Sequence, residues 1–264
     1  MQWDIDFSIC SILGSGHHGD VWFAQRLPDK PPIAVKILKA DHAICMDDCC
    51  KGHMPLEACM LQKCQGIKGV VKMFGVSQTG LKKQVILMEY SRNDMDLFKL
   101  IQRNGCLEEA LVKSIFSQVI RIVIEMKYRN VVHGDIRDEN VLIDPTTGYI
   151  TLIDFGMAHK TENLPSEKTV GTKVYMPPEF FTRHSCHWDP RTVWSLGCFL
   201  YVLIHAKEPF LSSEETINKP IEIEKAISDD CKDLMFGMLQ RDEHKRLTLN
   251  GVSNHPWVSI RERV

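Results

Sequence analysis

The sequence predicts an α+β fold in two lobes: a small strand-rich lobe over residues 1–89, a polar hinge over 90–95 and a larger helical lobe over 96–264. Three observations carry that expectation. Up to Glu89 the chain is cut into short apolar runs, among them Phe7 to Leu13 and Val21 to Ala24, with one helical stretch near Pro55. Beyond Asp96, Leu111, Ile115, Val119, Ile122 and Met126 recur at helical spacing and read as a core stripe. The run from Val193 to Ile204 is apolar throughout, too short to span a bilayer, and suits a buried helix. Between these, Tyr149 to Ile153 reads as a strand and the last turn closes near Pro256-Trp257.

Composition narrows the class. A hydrophobic fraction of 44% beside 25% charged residues is ordinary globular usage. The formal net charge of -2 gives no general attraction to nucleic acid or to an anionic membrane, so neither is expected as a partner. The start, Met-Gln-Trp-Asp-Ile-Asp, lacks the basic residues and apolar core of a signal peptide. Ten cysteines without such a signal point to reduced thiols and a cytoplasmic protein, or one that is also nuclear. His42, Cys45, Cys49, Cys50, His53, Cys59 and Cys64 form a group in which zinc is conceivable. It has no pair of C-x-x-C elements, so unligated cysteines are the default.

The chemistry is concentrated in four motifs. Leu13-Gly14-Ser15-Gly16-His17-His18-Gly19-Asp20-Val21 fits G-x-G-x-x-G-x-V between two apolar runs, a hairpin tip whose backbone can close over phosphates. A dinucleotide-binding loop would open a helix instead, and the residues after Gly19 look like strand. Ile33-Ala34-Val35-Lys36 fits V-A-I-K, and a lysine that contacts phosphates needs a carboxylate to orient it. Glu57 is the candidate, in a helix that Pro55 would open and that Leu56, Met60 and Leu61 stripe; a surface charge is the alternative.

His133-Gly134-Asp135-Ile136-Arg137-Asp138-Glu139-Asn140 fits H-R-D-L-x-x-x-N except at Gly134, and Asp154-Phe155-Gly156 follows. Phosphoryl transfer needs an in-line hydroxyl and cations on the phosphates rather than covalent help. Asp135 would accept the hydroxyl proton, and Asn140 and Asp154 would offer oxygens to Mg²⁺. Two hairpin turns with solvated carboxylates are the plain alternative.

Together these residues resemble the eukaryotic protein kinases, along essentially the whole chain. Within that family the likeness is to the PIM serine/threonine kinases, through Pro55-Leu56-Glu57, Asp96-Leu97-Phe98, Asp135 to Asp144, Leu152 to Gly156, Gly171 to Tyr175 with Pro177-Pro178-Glu179, Val193 to Gly197, and Asn254 to Trp257. The resemblance implies a two-lobed protein-kinase fold, ATP and Mg²⁺ as cofactors, a monomer, and protein substrates phosphorylated on Ser or Thr. It places ATP among Leu13, Gly14, Ser15, Gly16, Gly19, Val21, Ala34, Lys36, Glu57, Glu89, Ser91 and Leu142, the metal on Asn140 and Asp154, and catalysis on Asp135, Lys36, Arg137 and Asn140. The Glu89 carbonyl would accept from adenine and the Ser91 N–H would donate; PIM kinases have proline there, which lacks the donor. Met88 would guard the rear pocket.

Three departures qualify the likeness. Gly134 removes an arginine that in many kinases pairs with a phosphate on the activation segment, Asp154 through Glu179. Arg137 stands where lysine is usual. Thr192 replaces an aspartate that normally braces the catalytic loop, and its hydroxyl is expected to bond there more weakly. Asp96, Asp138 and Glu139 match an acidic rim that would favour basic residues near the acceptor Ser or Thr, with Lys99 weakening it; a solvated acidic surface is the alternative. Thr161, Ser166, Thr169 and Tyr175 are modifiable, with Lys168 or Lys173 as weaker phosphate partners, and the expectation is activity without such modification. Pro177-Pro178-Glu179 with Arg246 argues against a small-molecule kinase. The main rival is a nucleotide-binding pseudokinase acting as an interaction module.

Overall fold

The structure, a computed structural model, describes residues 7–26, 30–39, 54–79, 83–162, 172–183 and 186–259. The chain divides into two units, Met1–Asn93 and Asp94–Val264.

In the first unit, β1 (Phe7–Ser15), β2 (Gly19–Arg26), β3 (Ile33–Leu38), β4 (Met73–Gln78) and β5 (Gln84–Glu89) form one antiparallel sheet in the order β1-β2-β3-β5-β4. Strand alternation turns Ile33 and Val35, and opposite them Val85 and Leu87, into a buried cluster with Ala24. Phe7, Trp22, Ile37 and Phe74 pack partly against it. The helix α1 (Leu56–Lys63) starts one residue later than the sequence suggests, because Pro55 is its N-cap with ψ 140° rather than its first helical residue. Cys59 and Cys64 are buried there. His42, Cys45, Cys49, Cys50 and His53 lie outside the described residues, among which no metal-ligand cluster occurs.

The second unit opens with β6 (Met95–Asp96) and α2 (Leu97–Asn104), followed by α3 (Glu109–Tyr128), β7 (Val131–Val132), β8 (Val141–Ile143), β9 (Ile150–Leu152) and β10 (His159–Lys160). The helices α4 (Pro178–Arg183), α5 (Trp188–His205), α6 (Ser213–Asn218), α7 (Asp229–Met238) and α8 (Leu249–Ser253) complete it. Oxygen caps start four of the helices: Asp96, Ser212, Ser228 and Thr248 accept from the backbone N–H of Lys99, Glu215, Cys231 and Gly251. The apolar run in α5 is buried from Val193 through His205, as befits a helix surrounded by protein. No helix of the described residues is long and apolar enough to cross a membrane.

One stripe residue is misplaced by the sequence reading. Ile115, Val119, Ile122 and Met126 of α3 are buried, but Leu111 is 37% exposed and Val112 takes the core position. Steps of four residues drift by about 40° around a helix, which carries Leu111 off the buried face centred on Val112, Phe116 and Val119. Phe116 stacks on Phe199 with ring centroids 6.4 Å apart and meets Trp257 edge-on at 5.9 Å, joining α3, α5 and the end of the described chain. Arg246 grips Glu179 through two bonds of 2.7 and 2.8 Å, both side chains almost wholly buried, and so ties α4 to the loop before α8.

Candidate active site

In the second unit the residues that the sequence marks as candidate catalytic groups lie on a loop between two short strands. β7 ends at Val132, and a 3-10 turn over Asp138–Asn140 leads into β8. Between them His133 is buried, with Nδ1 accepting from the Asp135 N–H at 3.3 Å and Nε2 facing the Ile153 carbonyl at 2.9 Å. A backbone N–H can only donate and a carbonyl can only accept, so the proton sits on Nε2. Burial holds this imidazole below its ordinary pKa, which keeps that neutral form. The ring also meets Phe155 edge-on at 5.0 Å, so one histidine links the loop of Asp135 to the turn of Asp154.

The carboxylate of Asp135 is held on both oxygens. Oδ1 accepts from the Thr172 N–H at 3.1 Å and from its hydroxyl at 3.0 Å, and Oδ2 accepts from Asn140 Nδ2 at 3.1 Å. The same Nδ2 donates to the Asp135 carbonyl at 2.8 Å. With its amide nitrogen committed to Asp135, Asn140 has its Oδ1 left as an oxygen donor. Asp154 sits in the left-handed region at φ 57°, a conformation that a non-glycine residue holds only under constraint, and its Oδ1 accepts from the Gly156 N–H at 3.1 Å. These two side chains offer oxygens, the ligand type that Mg²⁺ takes, so the residues fit a magnesium site. Arg137 donates through Nη1 to the Thr172 hydroxyl at 2.8 Å and pairs through Nη2 with Glu139 at 2.7 Å.

In the first unit Lys36 meets Glu57 at 2.6 Å, with side chains 3% and 7% exposed. Two charges so buried persist only as a pair, and breaking the pair leaves an uncompensated charge. The glycine-rich turn joins β1 to β2. Its Gly16 N–H donates to the Gly19 carbonyl at 2.9 Å, and Lys39 Nζ donates to the Gly16 carbonyl at 2.8 Å. A Cβ on Gly14 would meet nothing within 4 Å, so the backbone there is open to approach, whereas one on Gly19 would lie 2.4 Å from the Ile37 carbonyl oxygen. Leu13 is exposed, Val21 pairs with Lys36 across β2 and β3, and Ala34 pairs with Met88 across β3 and β5. Glu89 ends β5, its N–H donating to the Lys72 carbonyl at 2.9 Å, and Ser91 follows in exposed chain. In the second unit Leu142 pairs with Asp96 and Thr151.

The chain matches the protein kinase domain over residues 7–258. It belongs to the protein kinase family. The serine/threonine-protein kinase pim-2 of Danio rerio is 31% identical over 262 residues, covering 96% of this chain and 84% of that protein. The kinase prk-2 of Caenorhabditis elegans is 30% identical over 260 residues, and the match spans 58% of its length. Among solved structures, the Cydia pomonella granulovirus kinase PK-1 superposes with a TM-score of 0.82 over 96% of this chain and 94% of the other. At 20% identity that likeness shows the fold alone. These relatives make the chain a protein serine/threonine kinase.

The three carboxylates expected to form an acidic rim are largely engaged in internal contacts. Asp96 accepts from the Lys99 N–H and pairs with its ammonium, each at 2.7 Å. Asp138 is buried, which raises its pKa, and it accepts from the Tyr175 hydroxyl at 3.4 Å. Glu139 is turned to Arg137 but remains 46% exposed.

Two features of the kinase escape the sequence reading. Gly134 has φ +81°, and a Cβ on it would lie 2.4 Å from the Met157 carbonyl oxygen. A side chain at this position would therefore require one of the two backbones to move. Thr192 makes no side-chain hydrogen bond among the described residues; its neighbour Arg191 instead donates from Nη2 to the Gly134 carbonyl at 3.2 Å. A warning was available in the sequence, since an arginine next to a continuous apolar helical run must find a partner inside.

Proposed function

We propose that this kinase transfers the γ-phosphate of Mg-ATP to serine or threonine in proteins with basic residues upstream of the acceptor, and does so without phosphorylation of its own activation segment. Bound Mg-ATP would supply the phosphoryl group and the cations that neutralise it. The observation that carries the reading is the Asp135–Thr172–Arg137 network. Thr172 donates to the base and accepts from Arg137, so an unmodified threonine holds both in place. The segment after it is anchored without phosphate as well: Ser195 donates to the Tyr175 carbonyl at 3.1 Å, and Glu179 is clamped by Arg246. Gly134 has no side chain to receive a phosphate. Of the modifiable residues, Tyr175 is buried on Asp138 and Thr161 is half-buried, while Ser166 and Thr169, with Lys168, lie outside the described residues. Lys173 is exposed and gives only a screened contact.

Phosphatase treatment, followed by mass spectrometry and initial rates, tests the regulatory half. Rates are expected to stay within about twofold, because no built phosphate receptor is lost. A large loss traced to one residue between Met157 and Val174 would overturn it.

The substrate half rests on Glu139 as the exposed carboxylate and on Asp96, whose charge Lys99 offsets. In a peptide library the kinase is expected to favour arginine upstream. Lys99→Asp should strengthen that preference by up to about fivefold, the scale of one exposed ion pair. A profile indifferent to arginine, or favouring acidic residues, would sink the idea.

A further inference from the structure

Two departures from the family pattern and one buried arginine lie on the catalytic loop and at the start of α5. Gly134 lacks the usual arginine, Thr192 lacks the usual carboxylate, and Arg191 is a guanidinium only 2% exposed at the start of α5, a helix buried from Val193 through His205. Desolvating a guanidinium so completely is costly unless it is bonded. Its Nη2 donates to the Gly134 carbonyl at 3.2 Å, and its carbon centre lies 4.6 Å from the ring centroid of Trp188. Trp188 in turn stacks on His159 at 5.5 Å, and His159 Nδ1 donates to the Met157 carbonyl. That carbonyl oxygen occupies the space where a Cβ on Gly134 would stand. The contacts therefore close a circuit: catalytic loop, the residue after Asp154-Phe155-Gly156, β10, α5, and back to the catalytic loop.

We infer that Arg191 is a positioning residue for phosphoryl transfer, bracing the Gly134 carbonyl from α5 and thereby fixing the backbone from which the Asp135 carboxylate projects. The inference rests on the kinase reading and extends it. It assigns to Arg191 the bracing role that the sequence suggests for Thr192. It also accounts for Gly134: at its positive φ a Cβ would stand 2.4 Å from the Met157 carbonyl oxygen, so a side chain there would force one of the two backbones to move. The brace needs no phosphate, since the cation is supplied by a helix buried in the same unit.

Two substitutions separate bracing from bulk. Arg191→Met keeps length and apolar stem but removes the donor; Arg191→Lys keeps a donor able to make one bond. The three purified proteins are compared for kcat and for KM toward Mg-ATP and peptide. Hydrogen exchange is read on the peptide spanning 133–140 in the same samples. Arg191→Met is expected to lower kcat by about ten- to a hundredfold with both KM values within about twofold, as misorientation of a catalytic group does. Exchange should rise over 133–140 in that variant, and Arg191→Lys should recover most of the lost kcat. If Arg191→Met does not fold, Arg191→Gln, whose amide is too short to span the arginine's reach, takes its place and should fall below lysine in kcat and above it in exchange. The inference is overturned if Arg191→Met (or Arg191→Gln in its place) keeps wild-type kcat, if lysine rescues nothing, or if exchange over 133–140 is unchanged. An inactive wild-type protein would sink the kinase reading instead, and the exchange comparison would still decide whether Arg191 braces the loop.

Discussion

Exchanging Asp154 for asparagine is expected to cut phosphoryl transfer by about 10²–10³-fold, the cost of removing one preorganised charge from a transition state of this kind. The fold should survive. Asparagine keeps an oxygen for the Gly156 N–H, so the left-handed turn at φ 57° retains its internal bond. Phe155 remains buried against His133, because the exchange changes charge and not core volume. Initial rates at saturating Mg-ATP, with thermal denaturation of both proteins, check the two halves together. A stable Asp154→Asn protein with wild-type rate would remove Asp154 from the metal site.

Restoring the family's arginine at position 134 is expected to damage this kinase rather than improve it. Gly134 holds φ +81°, where a side chain costs about 1–3 kcal/mol. The new Cβ would also stand 2.4 Å from the Met157 carbonyl oxygen, so one of the two backbones must move. Either movement disturbs the carbonyl that Arg191 holds or the segment after Asp154. Gly134→Ala should already show most of the loss, in melting temperature and in rate, since strain and clash both arise at Cβ. A Gly134→Arg protein as stable as wild type and more active would show that the left-handed backbone is dispensable.

How much of this was legible in the sequence depends on whether a residue acts through its type or through its backbone. Lys36 and Glu57 stand 21 residues apart, yet a strand motif and a helix start were enough to mark both ends of their ion pair. The strands of the first unit and the buried α5 follow from short apolar runs and from one unbroken apolar run. Leu111 shows the limit of periodicity, because equal spacing along a helix does not keep residues on one face. The acidic rim shows the limit of matching positions one at a time: Asp96, Asp138 and Glu139 carry the right charge, but Lys99, Tyr175 and Arg137 answer them. At Gly134 the sequence shows a missing side chain, whereas its φ is as informative as its absent guanidinium, and no sequence pattern states a φ. Arg191 gives no motif signal of its own, because the position expected to brace the loop is the next one, Thr192.

One assay decides whether this protein moves a phosphoryl group to Ser or Thr through Asp135. Purified wild type and Asp135→Asn are given γ-labelled Mg-ATP and a degenerate peptide library, and label is counted on serine, threonine and tyrosine. Label is expected on serine and threonine with the wild type, and a loss of about 10²–10⁴-fold in the variant, the usual contribution of a positioned proton acceptor. Label at equal rates from both proteins, or from neither while nucleotide still binds, would contradict it and leave an interaction module in place of an enzyme.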